Sequence, residues 1–316
     1  MKIRHLLLGM TAGALACTSA LAANGSSDPI KIVLNEWTGQ HISAHITGQL
    51  LEKAGFNIEY VNAGAVPQFK GIAEGNLHLQ PEVWDNNVGD IYPKAVESGD
   101  IVKVGPLGLE PREGWMYPSY MAEKCPGLPS HAALIECAQA FAAPDTFPKG
   151  RLITYPADWG TRSKDLVETA NLPFQPIAGG SEGAMIAELK AAYAAKEPSL
   201  MMFWAPHWLH AELDMDWVDL PAAHPNCDTE PEHGFDPGVT NDCGFAQANI
   251  GKIVWKGFGE KWPGALKLVE SLNIDNATQN ALMLEVDSKK RDLEEVVTEW
   301  VAANEATWSS WVAAAM

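Results

Sequence analysis

Four tryptophans stand where short apolar segments give way to polar turns. Trp37 follows segment 31–34 and precedes Thr38-Gly39. Trp84 closes 77–83 before Asp85-Asn86, and Trp204 closes 200–203 before Ala205-Pro206. Trp159 lies in the loop after 151–154, ahead of Gly160-Thr161. Indole faces carry negative quadrupole charge and attract cations, each desolvated contact contributing about 0.5–2 kcal/mol. A nitrogen bearing three methyl groups has no N–H to donate, so carboxylates cannot select it by hydrogen bonding. Its diffuse positive methyl surface suits a box of rings. The chain has 12 Trp against 9 Phe and 6 Tyr, so indole in particular is in excess. Any one Trp could be a core residue, but core tryptophans more often lie inside elements than at their ends. Trp115 and Trp208 are read as supports of the box. Trp217, Trp255, Trp262, Trp300, Trp308 and Trp311 are assigned to helices or core.

The elements that must carry these rings follow from periodicity. Segments 31–34, 57–61 and 77–84 read as strands. Ile42, Ile46, Leu50 and Leu51 form a helical stripe with Gly55 at its C-terminal cap, and 68–75 and 87–98 read as further helices. The middle repeats the rhythm with strands at 151–154 and 199–203 and helices at 161–170 and 182–195. Ser181 is the expected N-cap of the last of these, which leaves Gly179–Gly183 as a helix start and not a phosphate cradle. The final third holds a Pro-, Asp-, Asn- and Gly-rich stretch at 221–244, then helices at 261–272, 277–286 and 293–311. A βαβαβ order implies an α/β fold with a mostly parallel sheet, and such sheets place ligands at the carboxyl ends of their strands. A length of 316 residues predicts two lobes. Two rings on each lobe would tie binding to lobe closure.

Composition narrows the partners. With 40 acidic and 22 basic side chains the formal net charge is −18, which excludes nucleic acid as an electrostatic partner and argues against docking on an anionic membrane. Segment 1–23 reads as a secretory signal: Lys2 and Arg4, an apolar stretch from Leu6 to Ala16, and small residues at Ala20 and Ala22. Beyond it lie Cys125, Cys137, Cys227 and Cys243. An even number in an exported chain predicts two disulfides. Three pairings exist; the local one, Cys125–Cys137 with Cys227–Cys243, is favoured because each pair brackets a short loop-rich stretch. Zinc is the rival, but neither pair has C-x-x-C spacing. His207, His210 and Glu212 could bind a metal, although a helix surface is the simpler reading.

The segments Asn35-Glu-Trp37-Thr-Gly, Pro81-Glu-Val-Trp84-Asp-Asn, Tyr155-Pro-Ala-Asp-Trp159-Gly and Phe203-Trp204-Ala-Pro-His give the chain a family likeness. It resembles the substrate-binding proteins of glycine betaine/choline-type ABC importers, and within them those that bind trimethylamine N-oxide. The resemblance implies a type II periplasmic binding-protein fold, with lobe 1 at 24–116 and 217–316, lobe 2 at 117–216, and a cleft between them. It implies a box of Trp37, Trp84, Trp159 and Trp204, with Glu113 addressing the ligand oxygen. An N-oxide offers only an acceptor oxygen, so a proton must lie between it and Glu113; burial would help supply one. The implied partners are a small methylated amine and a membrane permease, with the chain a periplasmic monomer. Choline, glycine betaine and carnitine are the alternative ligands. No cofactor is required. A structural calcium ion is an expectation for the oxygen-rich stretch 226–243, with Asp228, Asp236 and Asp242 as ligands; a solvated acidic loop is the alternative. The rival class, an exported enzyme acting on a methylated amine, would need a catalytic constellation. The sequence carries no G-x-S-x-G, no H-E-x-x-H and no flavin or nicotinamide fingerprint.

Overall fold

Among the described residues, 25–86 and 88–316, the computed structural model has ten strands in two five-stranded sheets. The signal segment expected at 1–23 lies outside the described residues. The strands are β1 (Ile30–Leu34), β2 (Ile58–Asn62), β3 (Leu79–Trp84), β4 (Ile101–Pro106), β5 (Arg112–Pro118), β6 (Gly150–Thr154), β7 (Phe174–Ala178), β8 (Met201–Ala205), β9 (Met215–Trp217) and β10 (Ile250–Trp255). The first sheet runs β2-β1-β3-β10-β4 and the second β7-β6-β8-β5-β9. In each, three strands are parallel, as the βαβαβ rhythm requires. Antiparallel strands complete both: β10 pairs with β3 and β4, and β5 with β8 and β9. The sheets are therefore mixed where sequence predicted mostly parallel ones.

The chain passes between sheets through 107–111 and returns through 218–249. Strand β5 belongs whole to the second sheet, so the junction expected at 116/117 falls inside a strand. β5 and β10 escaped the periodicity argument because polar or glycine residues interrupt their apolar runs. In β10 the interruption is Lys252, buried among apolar side chains, whose ammonium donates to the carbonyls of Glu270 and Leu272. Burial lowers its pKa to about 8.

Local signals read from sequence mostly hold. The helix Thr38–Lys53 buries Ile42, Ile46 and Leu50 completely. It ends at Gly55, whose φ of 91° lets its N–H reach Glu52 O and that of Phe56 reach Leu51 O. Ser181 caps the helix Glu182–Ala195 by accepting from Ala184 N. The long helix expected at 293–311 is instead two, Leu293–Ala303 and Glu305–Ala315, because Asn304 turns its backbone and side-chain amides onto Trp300 O. The helix Asn276–Met283 runs on into a π-helical turn, Leu284–Ser288. Such turns re-aim side chains, and this one presents Asp287 to the second lobe. Cys125 is bonded to Cys137 and Cys227 to Cys243, the local pairing.

Three hydrogen bonds tie the lobes beside the cleft. Thr38 N donates to Glu182 Oε2 at 2.7 Å, Trp208 Nε1 to Asp287 Oδ2 at 3.0 Å, and Ser288 Oγ to Glu212 Oε1 at 2.8 Å. Thr38 Oγ1 also donates to Asp287 Oδ1 at 2.8 Å. Burial, and then the charge of Glu182, raise the pKa of Asp287. His207 accepts from Leu209 N on Nδ1, and its Nε2 lies 3.3 Å from Glu182 Oε1. His210 Nε2 contacts Trp204 O and Glu212 pairs with Lys190. The His207-His210-Glu212 set is thus split among three structural tasks.

Two outcomes follow. Replacing Cys227 and Cys243 together by Ser should lower unfolding free energy by about 2–4 kcal/mol, measured by denaturant titration against the oxidised parent. Trp208→Phe deletes a hydrogen bond to the half-buried carboxylate of Asp287, of order 1.5–3 kcal/mol. It should raise the radius of gyration in small-angle X-ray scattering while leaving circular dichroism unchanged.

Candidate functional site

Alternation along β3 places Gln80, Glu82 and Trp84 on one face. Glu82 is wholly buried and accepts four hydrogen bonds. Trp37 Nε1 and Trp84 Nε1 both donate to its Oε1, at 3.0 and 3.1 Å; Ser43 Oγ and Gln279 Nε2 donate to its Oε2, both at 2.7 Å. Two of the four expected rings are therefore pinned by one carboxylate that sequence reasoning passed over. Its signal was present: Glu82 lies two residues before Trp84 on a strand, hence on the same side. Beneath it, buried amides of Asn35, Gln40, Gln68 and Gln80 bond to one another and to Val33 O and Ala63 O. This polar layer fixes the loop that carries Trp37, which itself stands at the N-terminus of Thr38–Lys53.

The second lobe supplies the other wall. Glu113 on β5 lies directly opposite Trp204 on β8, so the two share one face of the sheet. Tyr155, the first residue after β6, donates from its hydroxyl to Glu113 Oε1 at 2.8 Å, and Asn86 Nδ2 from the first lobe donates to Oε2. Burial raises the pKa of Glu113 above the usual carboxylate value, against the lowering effect of these two donors. Tyr155 is itself pushed well up, by burial and then by Glu113. It is a fifth ring that sequence reasoning did not assign.

The rings meet edge to face. Trp37 and Trp159 have centroids 5.2 Å apart at 65°, across the lobes. Trp159 and Trp204 are 5.7 Å apart at 75°, and Tyr155 lies 5.7 Å from each of them. Trp37, Trp84, Trp159, Trp204 and Tyr155 wall a cavity of about 50 Å³, with Glu82 and Glu113 also on its surface. No Lys, Arg or His lines it among the described residues. All four expected tryptophans and Glu113 thus come together. Chemically the arrangement offers aromatic faces to an apolar cation and carboxyl groups to a polar end, and it has no basic donor for an anion.

The remaining expectations fare differently. Trp115 is buried in the second lobe with Nε1 on Ser163 Oγ at 3.0 Å, and Trp208 serves the lobe contact. The Arg112 guanidinium sits 4.6 Å over the Trp217 ring. Asp228, Asp236 and Asp242 do not converge as a set of ligands. Asp228 and Asp236 are exposed, and Asp236 Oδ1 already accepts from Gly238 N. Asp242 is buried; one oxygen accepts from Asp236 N while Oδ1 has no hydrogen-bond partner. The cation serving this loop is Arg162, which donates to Asn241 O, Asn241 Oδ1 and Cys243 O.

Known proteins match the chain along most of its length. The family model described as the substrate binding domain of ABC-type glycine betaine transport system matches residues 28–303. The chain is 28% identical over 315 residues to the trimethylamine N-oxide-binding protein of Pelagibacter ubique (strain HTCC1062), covering 98% of both chains. It is 28% identical over 144 residues to the glycine betaine/proline betaine-binding periplasmic protein of Escherichia coli (strain K12), covering 42% of each. Among solved structures, lactococcal OpuAC in its closed form with glycine betaine superposes with a TM-score of 0.71 at 20% identity, covering 90% of this chain and all of the other. An ABC-transporter choline-binding protein in complex with choline gives 0.73 at 15% identity, with 91% and 96% coverage. These two fix the fold. Among the described residues no helix is long and apolar enough to cross a membrane. By sequence match and architecture together, the chain belongs to the family of substrate-binding domains of ABC-type glycine betaine transport systems.

Proposed function

We propose that the protein is the periplasmic receptor of an ABC importer for trimethylamine N-oxide. It captures the ligand between its lobes and hands it to a membrane permease without changing it chemically. The observation that carries this reading is the small ring-walled cavity of about 50 Å³ bearing carboxyl groups and no basic side chain. A single water needs roughly 10–15 Å³, so the space holds about three to five water-sized groups, the scale of a compact ligand. Trimethylamine N-oxide is of that size; carnitine is far larger. A betaine carboxylate would meet two carboxyl groups and no basic side chain.

The trimethylammonium end is held by Trp37, Trp84, Trp159 and Trp204, and the oxygen points to Glu113. Both ligand oxygen and carboxylate are acceptors, so Glu113 contributes the proton between them. Its buried setting favours that neutral form. Tyr155 and Asn86 hold the carboxyl in place from opposite lobes, so closure and proton placement occur together.

A competition panel of trimethylamine N-oxide, choline, glycine betaine and carnitine, read by intrinsic tryptophan fluorescence, tests the reading. The N-oxide should win; preference for choline would mean that Glu113 accepts a hydroxyl in its ionised form. Intact ligand recovered after incubation is expected, and a reduced or demethylated product would point to an enzyme. Trp159→Ala should abolish detectable binding with the fold retained. A group with a raised pKa stays protonated to higher pH and loses its proton as pH rises through that value. Affinity for the N-oxide should therefore fall as pH rises through that raised value, and calorimetry giving a flat profile from acid to alkaline pH would remove the shared proton.

A further inference from the structure

The cavity holds two carboxyl groups, Glu82 buried and Glu113 half-buried, and their surroundings differ. Glu113 receives two hydrogen bonds, Glu82 four. Two of the donors to Glu82, the indoles of Trp37 and Trp84, have no acceptor capacity at the ring nitrogen. They converge on one oxygen, which leaves no room for a proton there. We propose that Glu82 is the resident anion of the site, and that through the two indole N–H groups it makes the rings of Trp37 and Trp84 electron-rich and so selects cationic over neutral ligands of the same shape. This rests on the receptor reading above and deepens it by assigning specificity to a residue behind the rings.

Physical reasons support the assignment. Hydrogen bonds donated to a charged acceptor are about twice as strong as neutral ones, and each polarises its donor, here pushing electron density toward the indole face. A negative charge in a water-excluded site also attracts a nearby cation far more than it would in water. Burial raises the pKa of Glu82, and its four donors oppose that rise. The groups facing it are Trp37, Ser43, Trp84 and Gln279, none ionisable near neutrality; Glu113 and Tyr155 are the other titratable groups on the cavity. Two carboxyls with divergent surroundings can hold opposite states, one charged and one protonated. An N-oxide, positive at nitrogen and negative at oxygen, matches that pair end for end.

The test uses two probes of similar shape on the full protein, tetramethylammonium and tert-butanol, read by calorimetry and tryptophan fluorescence. Glu82→Gln keeps an acceptor oxygen for both indoles while removing the charge. It should weaken tetramethylammonium about tenfold to a hundredfold, as loss of a nearby buried charge implies, and change tert-butanol by no more than about twofold. Equal losses for both probes, or none, would overturn the proposal. Ser43→Ala covers the case in which Glu82→Gln does not fold. It deletes one donor to Oε2, so Glu82 takes up a proton at higher pH. Tetramethylammonium affinity, which should fall on acidification of the parent, should then fall at higher pH in the variant. Superimposed profiles would overturn the assignment, since Glu113 and Tyr155 are common to both proteins. The two readings fail separately: a parent that binds neither trimethylamine N-oxide nor tetramethylammonium sinks both. Tight N-oxide binding with unchanged discrimination in Glu82→Gln sinks only the role of Glu82.

Discussion

Two indole N–H groups meet on one buried carboxylate oxygen, and the first lobe is arranged around that meeting. Glu82 fixes Trp84 from its own strand and Trp37 from the head of the helix Thr38–Lys53. A ring held only by apolar contacts could slide or tip. A ring held by its N–H keeps its face directed, which is what a cation-binding wall requires. Ser43 and Gln279 saturate the second oxygen, so the anchor reaches into the helix Asn276–Met283 near the end of the chain. The amide layer of Asn35, Gln40, Gln68 and Gln80 then holds the loop ends beneath it.

The second lobe solves the same problem differently. Its rings lean on one another, edge to face, around Tyr155, and strand register sets Glu113 opposite Trp204. The two half-sites become one cavity where Trp37 meets Trp159 and Asn86 meets Glu113. Of the residues that make the lobe contacts, Thr38 is the immediate neighbour of Trp37 in sequence, and it bonds to both Glu182 and Asp287. Association of the lobes and orientation of the first ring are therefore mechanically one event.

Much of this was legible beforehand. Four Trp residues at strand ends, Ser181 as a cap, Gly55 as a terminator and the local disulfides each rest on short-range chemistry that sequence displays. Glu113 came from family likeness, and only its pairing with Trp204 explains its placement. What escaped was non-local. β5 and β10 carry interrupted apolar runs, and their place in the sheets depends on partners far along the chain. Glu82 looked like a strand residue among others until its four donors were assembled: one from its own strand, two from the helix Thr38–Lys53 and its head, and one from the helix Asn276–Met283. The aspartates of 226–243 show the limit of composition: it counts carboxylates without placing them, and the bracing of this loop by Arg162 depends on a residue about 80 positions earlier.

The position of β10 has a consequence for how the molecule is built. The second sheet is drawn from one contiguous stretch, Arg112 to Trp217, and can close as soon as that stretch is available. The first sheet cannot. Its fourth strand in space, between β3 and β4, is the last in sequence. Until Ile250–Trp255 arrives, β3 and β4 each present an unpaired edge, and such edges recruit foreign strands. The loop closure that joins β10 to β4 spans the whole second lobe, a contact of long sequence separation and hence slow to form. A chain emerging N-terminus first would thus complete its second lobe before its first. The half-site built on Glu82 would be the later one to assemble, although its residues emerge earlier.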